Sequence, residues 1–344
     1  MPDRPPDPRT FQDGPSYLGL PSFMKVPYLA MPEELDDRTP DVAIVGAPWD
    51  DSVVNRPGAR FGPRSIRFAN YIYPFWHLDL QVAPFDVLDV IDFGDAACVP
   101  GLVEESHKAI HDRVLAVAQR GIVPIVLGGD HSITYPSASA VAEAVAPREL
   151  GVIHFDAHAD TADEVWGNLR SHGTPMRRLI ESGAVAGRNF VQVGLRGYWP
   201  PPEILEWMHA QQMRWHLMGE LLDRGVDAVI DTAIEEALDG PDVIYLSVDI
   251  DVLDPGFAPG TGTPEPGGMQ PADLLRAIRR IAEKTNVIAM DVVEVSPPYD
   301  HAELTAQNAN RCVLEAISAL AVKHRDSITR AERGSESPRS MTNP

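Results

Sequence analysis

Three short blocks place acids and imidazoles at spacings that suit metal chemistry. Asp156-Ala157-His158-Ala159-Asp160 sets an acid, an imidazole and an acid at i, i+2 and i+4, positions that share one face of extended chain. Asp249-Ile250-Asp251 repeats the spacing of two, and Gly128-Gly129-Asp130-His131-Ser132 offers an imidazole just after a glycine turn. Each block ends an apolar run. Aspartate is depleted in strands and costly to bury unpaired, so acids at such ends demand a compensating partner. A cap or a turn accounts for any single acid, and that is the reading for Asp130, Ser132 and Asp254. It does not account for His131, Asp156, His158, Asp160, Asp249 and Asp251 together. His154 shares the face of Asp156 and His158 but lies further back in its strand, so it is expected in the core or as a support behind the ligands.

Charge then sets the metal count. The four carboxylates and two imidazoles would stay at −2 around one divalent ion and reach balance around two. Oxygen-rich ligands with imidazole and no thiolate favour Mn²⁺, with Ni²⁺ or Co²⁺ as alternatives and Fe²⁺ and Zn²⁺ also compatible. Two such ions lower the pKa of a shared water from about 15.7 toward neutrality, which points to metal-assisted hydrolysis.

The elements that must position these residues alternate along the chain. Strands are expected at Val42–Ala47, Val87–Asp92, Val123–Gly128, Val152–Asp156, Phe190–Leu195, Val243–Asp249 and Val287–Val292. Helices are expected at Val103–Arg120, Glu203–Gln212, Asp227–Leu238, Pro271–Glu283 and Ala302–Lys323. Strands apolar on both faces, separated by helices, predict a three-layer αβα sandwich with a mostly parallel sheet, whose site lies beyond the carboxyl ends of the strands. The expected divisions are a Pro-rich arm over 1–40, with eight prolines in its first 32 residues, one catalytic domain over 41–325, and a disordered polar tail over 326–344.

Composition closes off other classes. Lys and Arg sum to 29 against 50 for Asp and Glu, a formal charge of −21, which argues against a duplex-DNA or anionic-membrane binder. Cys98 and Cys312 are the only cysteines in 344 residues, so a disulfide framework is not expected and a reducing, cytoplasmic setting is. No apolar run of signal-peptide or membrane-spanning length occurs.

The three blocks, in this order, resemble the ureohydrolase family, which includes arginase, agmatinase, guanidinobutyrase and proclavaminate amidinohydrolase. The likeness spans about Asp41 to Leu320, and Asn55-Arg56-Pro57-Gly58-Ala59-Arg60-Phe61-Gly62-Pro63 and Pro264-Glu265-Pro266-Gly267-Gly268 are similar to its agmatinase-like branch. The resemblance implies an arginase-type sandwich, a binuclear manganese centre, and a homotrimer or homohexamer. It implies that His131 and Asp160 bind one ion, His158 and Asp251 the other, and that Asp156 and Asp249 bridge them. It further matches two catalytic positions: Glu294 in Asp291-Val292-Val293-Glu294-Val295-Ser296-Pro297, which would hold the guanidinium edge, and His172 in Ser171-His172-Gly173-Thr174-Pro175, which with Asp160 would relay a proton to the leaving amine.

The expected reaction is hydrolysis of a small guanidino substrate to urea and an amine. Asp163 and Glu164 in the loop after Asp160 lean toward agmatine, with putrescine as product. Arg170, turned inward, would instead favour 4-guanidinobutanoate. The aromatic stretch from Tyr198 and Trp199 to Trp207 and Trp215 suits a packed helix or subunit interface better than a pocket wall, although an aromatic lid would admit only guanidine or a short alkylguanidine. A metallophosphoesterase lacks its Gly-Asn-His block here, and a non-catalytic subunit on the same fold would be expected to have lost ligands.

Overall fold

A computed structural model of the chain describes residues 19–70 and 76–335. Its centre is one eight-stranded sheet made of β1 (Val42–Ala47), β2 (Val90–Asp95), β3 (Val123–Gly128), β4 (Leu150–Phe155), β5 (Phe190–Leu195), β6 (Arg214–Leu217), β7 (Val243–Asp249) and β8 (Val287–Val293). The spatial order is β2-β1-β3-β8-β7-β4-β5-β6, and every neighbouring pair is parallel. Successive side chains of a strand feed opposite faces. Val42 and Ile44 join one apolar layer with Ile244, Leu246 and Val248, while Ala43 and Val45 join the other with Val243 and Tyr245. Helices cover both faces, which is the expected three-layer αβα sandwich.

Helix Pro271–Lys284 shows how the covers are built. Its proline sits in the first turn, where no backbone donor is needed, and Leu274, Ala277, Ile278, Ile281 and Ala282 turn one buried stripe to the sheet. Helix Leu304–Ser335 begins on the Asp300 carboxylate, which accepts the N–H groups of Thr305 and Ala306 at 2.8 and 2.9 Å.

Several boundaries differ from expectation. The second strand starts at Val90 because Pro84–Val87 forms a helical turn with proline at its start. The short edge strand β6 was unforeseen, since the polar Arg214 and His216 interrupt its apolar run. Helix Thr134–Val145 was also unforeseen, its buried face being made of small residues such as Ala138 and Ala140. The last helix continues to Ser335, past the expected domain end at 325, so the stretch 326–335 is not an irregular tail. Residues 336–344, the rest of that expected tail, and 1–18 of the expected arm lie outside the described residues.

The described part of the arm is packed rather than loose. Phe23 and Met24 are fully buried against the core that includes Ile66. Leu29 N–H and Pro27 C=O pair with the backbone of Asp92 at 2.9 Å each, covering the edge of β2, which blunts an otherwise open sheet edge. Among the described residues, no helix is long and apolar enough to cross a membrane.

Candidate metal centre and active site

The four central strands, β3, β8, β7 and β4, are adjacent in the sheet, and their carboxyl ends deliver the expected residues to one place. Just past β3 lies His131, past β4 come Asp156, His158 and Asp160, and past β8 comes Glu294; β7 ends on Asp249, with Asp251 in the following turn. Asp156, Asp249, Asp251 and His131 are buried, and Asp160 nearly so. His131 Nδ1 stands 3.1 Å from Asp156 Oδ2, 3.0 Å from Asp160 Oδ2 and 3.1 Å from Asp249 Oδ2. His158 Nδ1 stands 3.1 Å from Asp251 Oδ2 and 3.4 Å from Asp156 Oδ1. All six expected ligands are thus brought together.

The donor set asks for cations. Ser247 Oγ donates to Asp291 Oδ1 at 2.7 Å, so its lone pair is what meets His131 Nε2 at 3.1 Å, and Nε2 must carry the proton. In a neutral ring Nδ1 then presents a lone pair to three carboxylate oxygens and closes no hydrogen bond. A proton added there could serve one oxygen at a time; a metal ion serves all. Without such charge the site strains its own titration. Burial, then Asp251 and Asp156, raise Asp249 well above the carboxylate range. Burial opposes charge on His131 and His158, yet their carboxylate neighbours hold both well above the usual imidazole value. Groups of ligand atoms close enough to share an ion form around His131, His154 and Asp156 and around Asp156, His158 and Asp251. The residues therefore fit divalent ions.

Glu294 and His172 meet each other as well as the site. His172 Nδ1 lies 2.9 Å from Glu294 Oε1, and the same oxygen accepts the His131 N–H at 2.8 Å. Glu294 Oε2 is buried with no hydrogen-bond partner among the described residues. Oε1 is thus occupied within the protein, and Oε2 is the oxygen left to meet a further donor. His172 Nε2 accepts the Val54 N–H at 3.1 Å. Burial opposes charge on His172, but Glu294, with Asp160 and Asp130 beyond, raises it to about 9. Asp160 and Glu294 both hold positive φ, 50° and 64°, a left-handed conformation unusual for residues with a side chain.

A cavity of about 190 Å³ opens over this centre, lined by Val54, His158, Asp160, Val165, His172, Gly173, Trp199, Asp249 and Thr263. It is smaller than the range of roughly 300–1,000 Å³ common for drug-sized ligands, so it suits a compact substrate. Trp199 belongs to the pocket wall, the reading placed second to packing for the aromatic stretch. Trp207 does pack, under the Arg177 guanidinium at 4.6 Å, and Trp215 lies against His209. Asp163 is bound by Arg178 at 2.9 Å and approached by Arg177 at 3.5 Å. Arg170 is turned to Glu104 at 3.3 Å and stacks over Tyr135 at 4.6 Å, away from the pocket. Asp130 and Asp254 act as turn acids, as expected, accepting the Ser132 N–H and the Gly256 N–H respectively.

Sequence reasoning missed the supports. Asp291 Oδ2 accepts from Tyr245 Oη and Thr134 Oγ1 at 2.7 Å each while Oδ1 takes Ser247, a buried chain behind His131. A signal was present, since Asp291 interrupts the apolar run Val287–Val293. Gln192, behind His154, likewise interrupts the apolar run Phe190–Leu195, whereas Thr263 Oγ1, 3.3 Å from Asp251 Oδ2, carried none.

Comparison with known proteins agrees with this geometry. Residues 40–318 match the model of the Arginase family. The chain is 38% identical to guanidinopropionase of Pseudomonas aeruginosa over 320 residues, covering 92% of this chain and 96% of that protein. It is 37% identical to the mitochondrial agmatinase of Gallus gallus, covering 88% and 86%. The solved structure of proclavaminate amidino hydrolase from Streptomyces clavuligerus superposes with a TM-score of 0.83 at 34% identity, covering 90% of this chain and 99% of that one.

Proposed function

The chain belongs to the arginase family, hydrolases of guanidino C–N bonds, and on that premise we propose that it releases urea and an amine from a small guanidino substrate. The observation that carries the reading is the His131 Nδ1 lone pair facing three carboxylate oxygens. His131 and Asp160 would hold one ion, His158 and Asp251 the other, and Asp156 and Asp249 both; the oxygen-rich set favours Mn²⁺. When bound, such ions supply Lewis acidity that makes water a competent nucleophile near neutral pH.

The chain's own residues do the rest. A guanidinium carbon flanked by three nitrogens is a poor electrophile, so alignment matters. Glu294 Oε2, unpartnered and buried, accepts a guanidinium N–H, while His172 and the His131 backbone hold its other oxygen still. His172 lies on the cavity wall with Glu294 raising its proton affinity, and release of the Val54 N–H from Nε2 lets that nitrogen take the proton lost by water and pass it to the departing amine, with Asp160 beside it.

For the tail we carry forward agmatine, with putrescine as product. Withdrawal of Arg170 toward Glu104 removes the cation that would attract 4-guanidinobutanoate. Pairing of Asp163 with Arg178 leaves the exposed Glu164 as the second acid of that loop. The small cavity and Trp199 wall favour guanidine or a short alkylguanidine as the second reading. Cytoplasmic residence, supported by two free cysteines, and a trimer or hexamer, carried by the family resemblance, complete the proposal. A urea-release screen of the Mn²⁺-loaded protein over agmatine, 4-guanidinobutanoate, arginine and guanidine tests it. Agmatine should give the highest kcat/KM; another panel member above it rejects the agmatine assignment, and no urea from any of them rejects all four as substrates.

A further inference from the structure

His154 is fully buried in β4 and pairs across the sheet with Gln192 of β5. The Gln192 side-chain nitrogen lies 2.6 Å from the Ala159 carbonyl oxygen. A carbonyl oxygen only accepts, so the amide nitrogen, and not its oxygen, occupies that side. The second hydrogen of the same nitrogen points to His154 Nδ1 at 3.0 Å. Nδ1 therefore accepts, and the ring proton resides on Nε2, 2.9 Å from Asp156 Oδ2. The ring has little freedom to turn over, since its edge packs on the rings of His131 and Phe190 at centroid distances of 4.9 and 5.8 Å.

The consequence falls on Asp156. Its Oδ1 accepts the His158 N–H at 2.6 Å, and its Oδ2 accepts from His154. Each oxygen thus has one protein donor and retains another lone pair. Oδ2 faces His131 Nδ1 and Oδ1 faces His158 Nδ1. By position alone His154 could join His131 and Asp156 around an ion; the proton on Nε2 denies it the lone pair that a ligand needs.

We propose that Gln192 and His154 form a positioning pair that locks the His154 tautomer, keeps His154 out of coordination, and aims one oxygen of Asp156 at each ion. The inference rests on the reading of Asp156 as a ligand shared by both ions. Removing a hydrogen bond behind a metal ligand lowers metal affinity by about 10- to 100-fold, so His154→Phe, which keeps a ring and loses the donor, should weaken Mn²⁺ binding by that factor.

The test measures Mn²⁺ dissociation constants of the full chain by chelator competition, with kcat at saturating Mn²⁺ alongside. His154→Gln places an amide N–H near the Nε2 position and should restore affinity to within about threefold of wild type, whereas His154→Asn is too short and should resemble His154→Phe. At saturating metal the kcat of each variant should stay within about threefold of wild type, because a positioning residue acts through occupancy. Wild-type affinity in His154→Phe, or equal affinity in His154→Gln and His154→Asn, overturns the proposal. If His154→Phe does not fold, the His154→Gln and His154→Asn comparison still decides. A wild-type chain that binds fewer than two ions overturns both this pair and the shared-ligand reading, while two ions held equally by all variants overturns the pair alone.

Discussion

The two halves of the donor set are built differently. His131 is fully enclosed, and a chain through Ser247, Asp291, Tyr245 and Thr134 supports it. His158 has a side chain 20% exposed on the cavity wall, and its partner Asp251 is steadied by the Ala157 N–H at 3.2 Å and by Thr263 at 3.3 Å. In the closed half, hydrogen bonds formed away from water fix ligand direction. In the open half, the same chemistry meets the space where a substrate must enter. One half is organised for retention and the other for access.

The hardest test of that contrast is the residue both halves share. Asp249 approaches His131 Nδ1 and also lines the cavity. Asp249→Asn should lose at least one ion by elemental analysis and nearly all activity. Full activity with one ion or none would break the two-ion account.

Next come the two residues proposed to meet substrate, His172 on the cavity wall and the buried Glu294. His172→Ala should lower kcat by roughly 10²- to 10⁴-fold, the range of general acid–base catalysis, with less effect on KM. Glu294→Gln should keep both ions and lose a charge-assisted contact worth about 1.5–3 kcal/mol, a fall in kcat/KM of about 10- to 100-fold. Wild-type rates in either variant, or loss of metal in Glu294→Gln, would show that the boundary between holding and reacting is drawn wrongly.

The last effect, read in stability and not in turnover, concerns the wall behind the closed half. His107 Nε2 lies 3.2 Å from Ser132 Oγ, whose proton goes to Asp130, so His107 is the donor. Burial, with Arg170 nearby, lowers its pKa to about 4. Its unfolded value is about 6.5, so the unfolded chain binds the extra proton first as pH falls. The stabilisation is complete above about 6.5 and disappears as pH drops through about 4, a span of roughly 3 kcal/mol. Urea unfolding from pH 7.5 to 4 should show a shallower acid loss in His107→Gln than in wild type; parallel curves would remove His107 as the cause.

Legibility in the sequence followed locality. Asp156, His158 and Asp160 announce themselves because one strand end carries all three, and β3, β7 and β8 were readable because they are apolar on both faces. Gln192 and Asp291 matter only through register, which sets Gln192 beside His154 and Asp291 beside Ser247. No spacing within either segment states that. The orientations of Asp163 and Arg170 were hidden for a related reason, since both found partners on other elements that linear order does not reveal.

The left-handed backbone at Asp160 and Glu294 has a bearing on directed evolution. Holding such conformations costs on the order of 1–3 kcal/mol each, and glycine adopts them freely. Relieving that strain with Asp160→Gly or Glu294→Gly would also remove a proposed metal ligand, or the acceptor that holds the buried His131 N–H and His172. At these two positions backbone and side chain pull in opposite directions, so a heat-tolerance library of this chain must be screened for turnover as well.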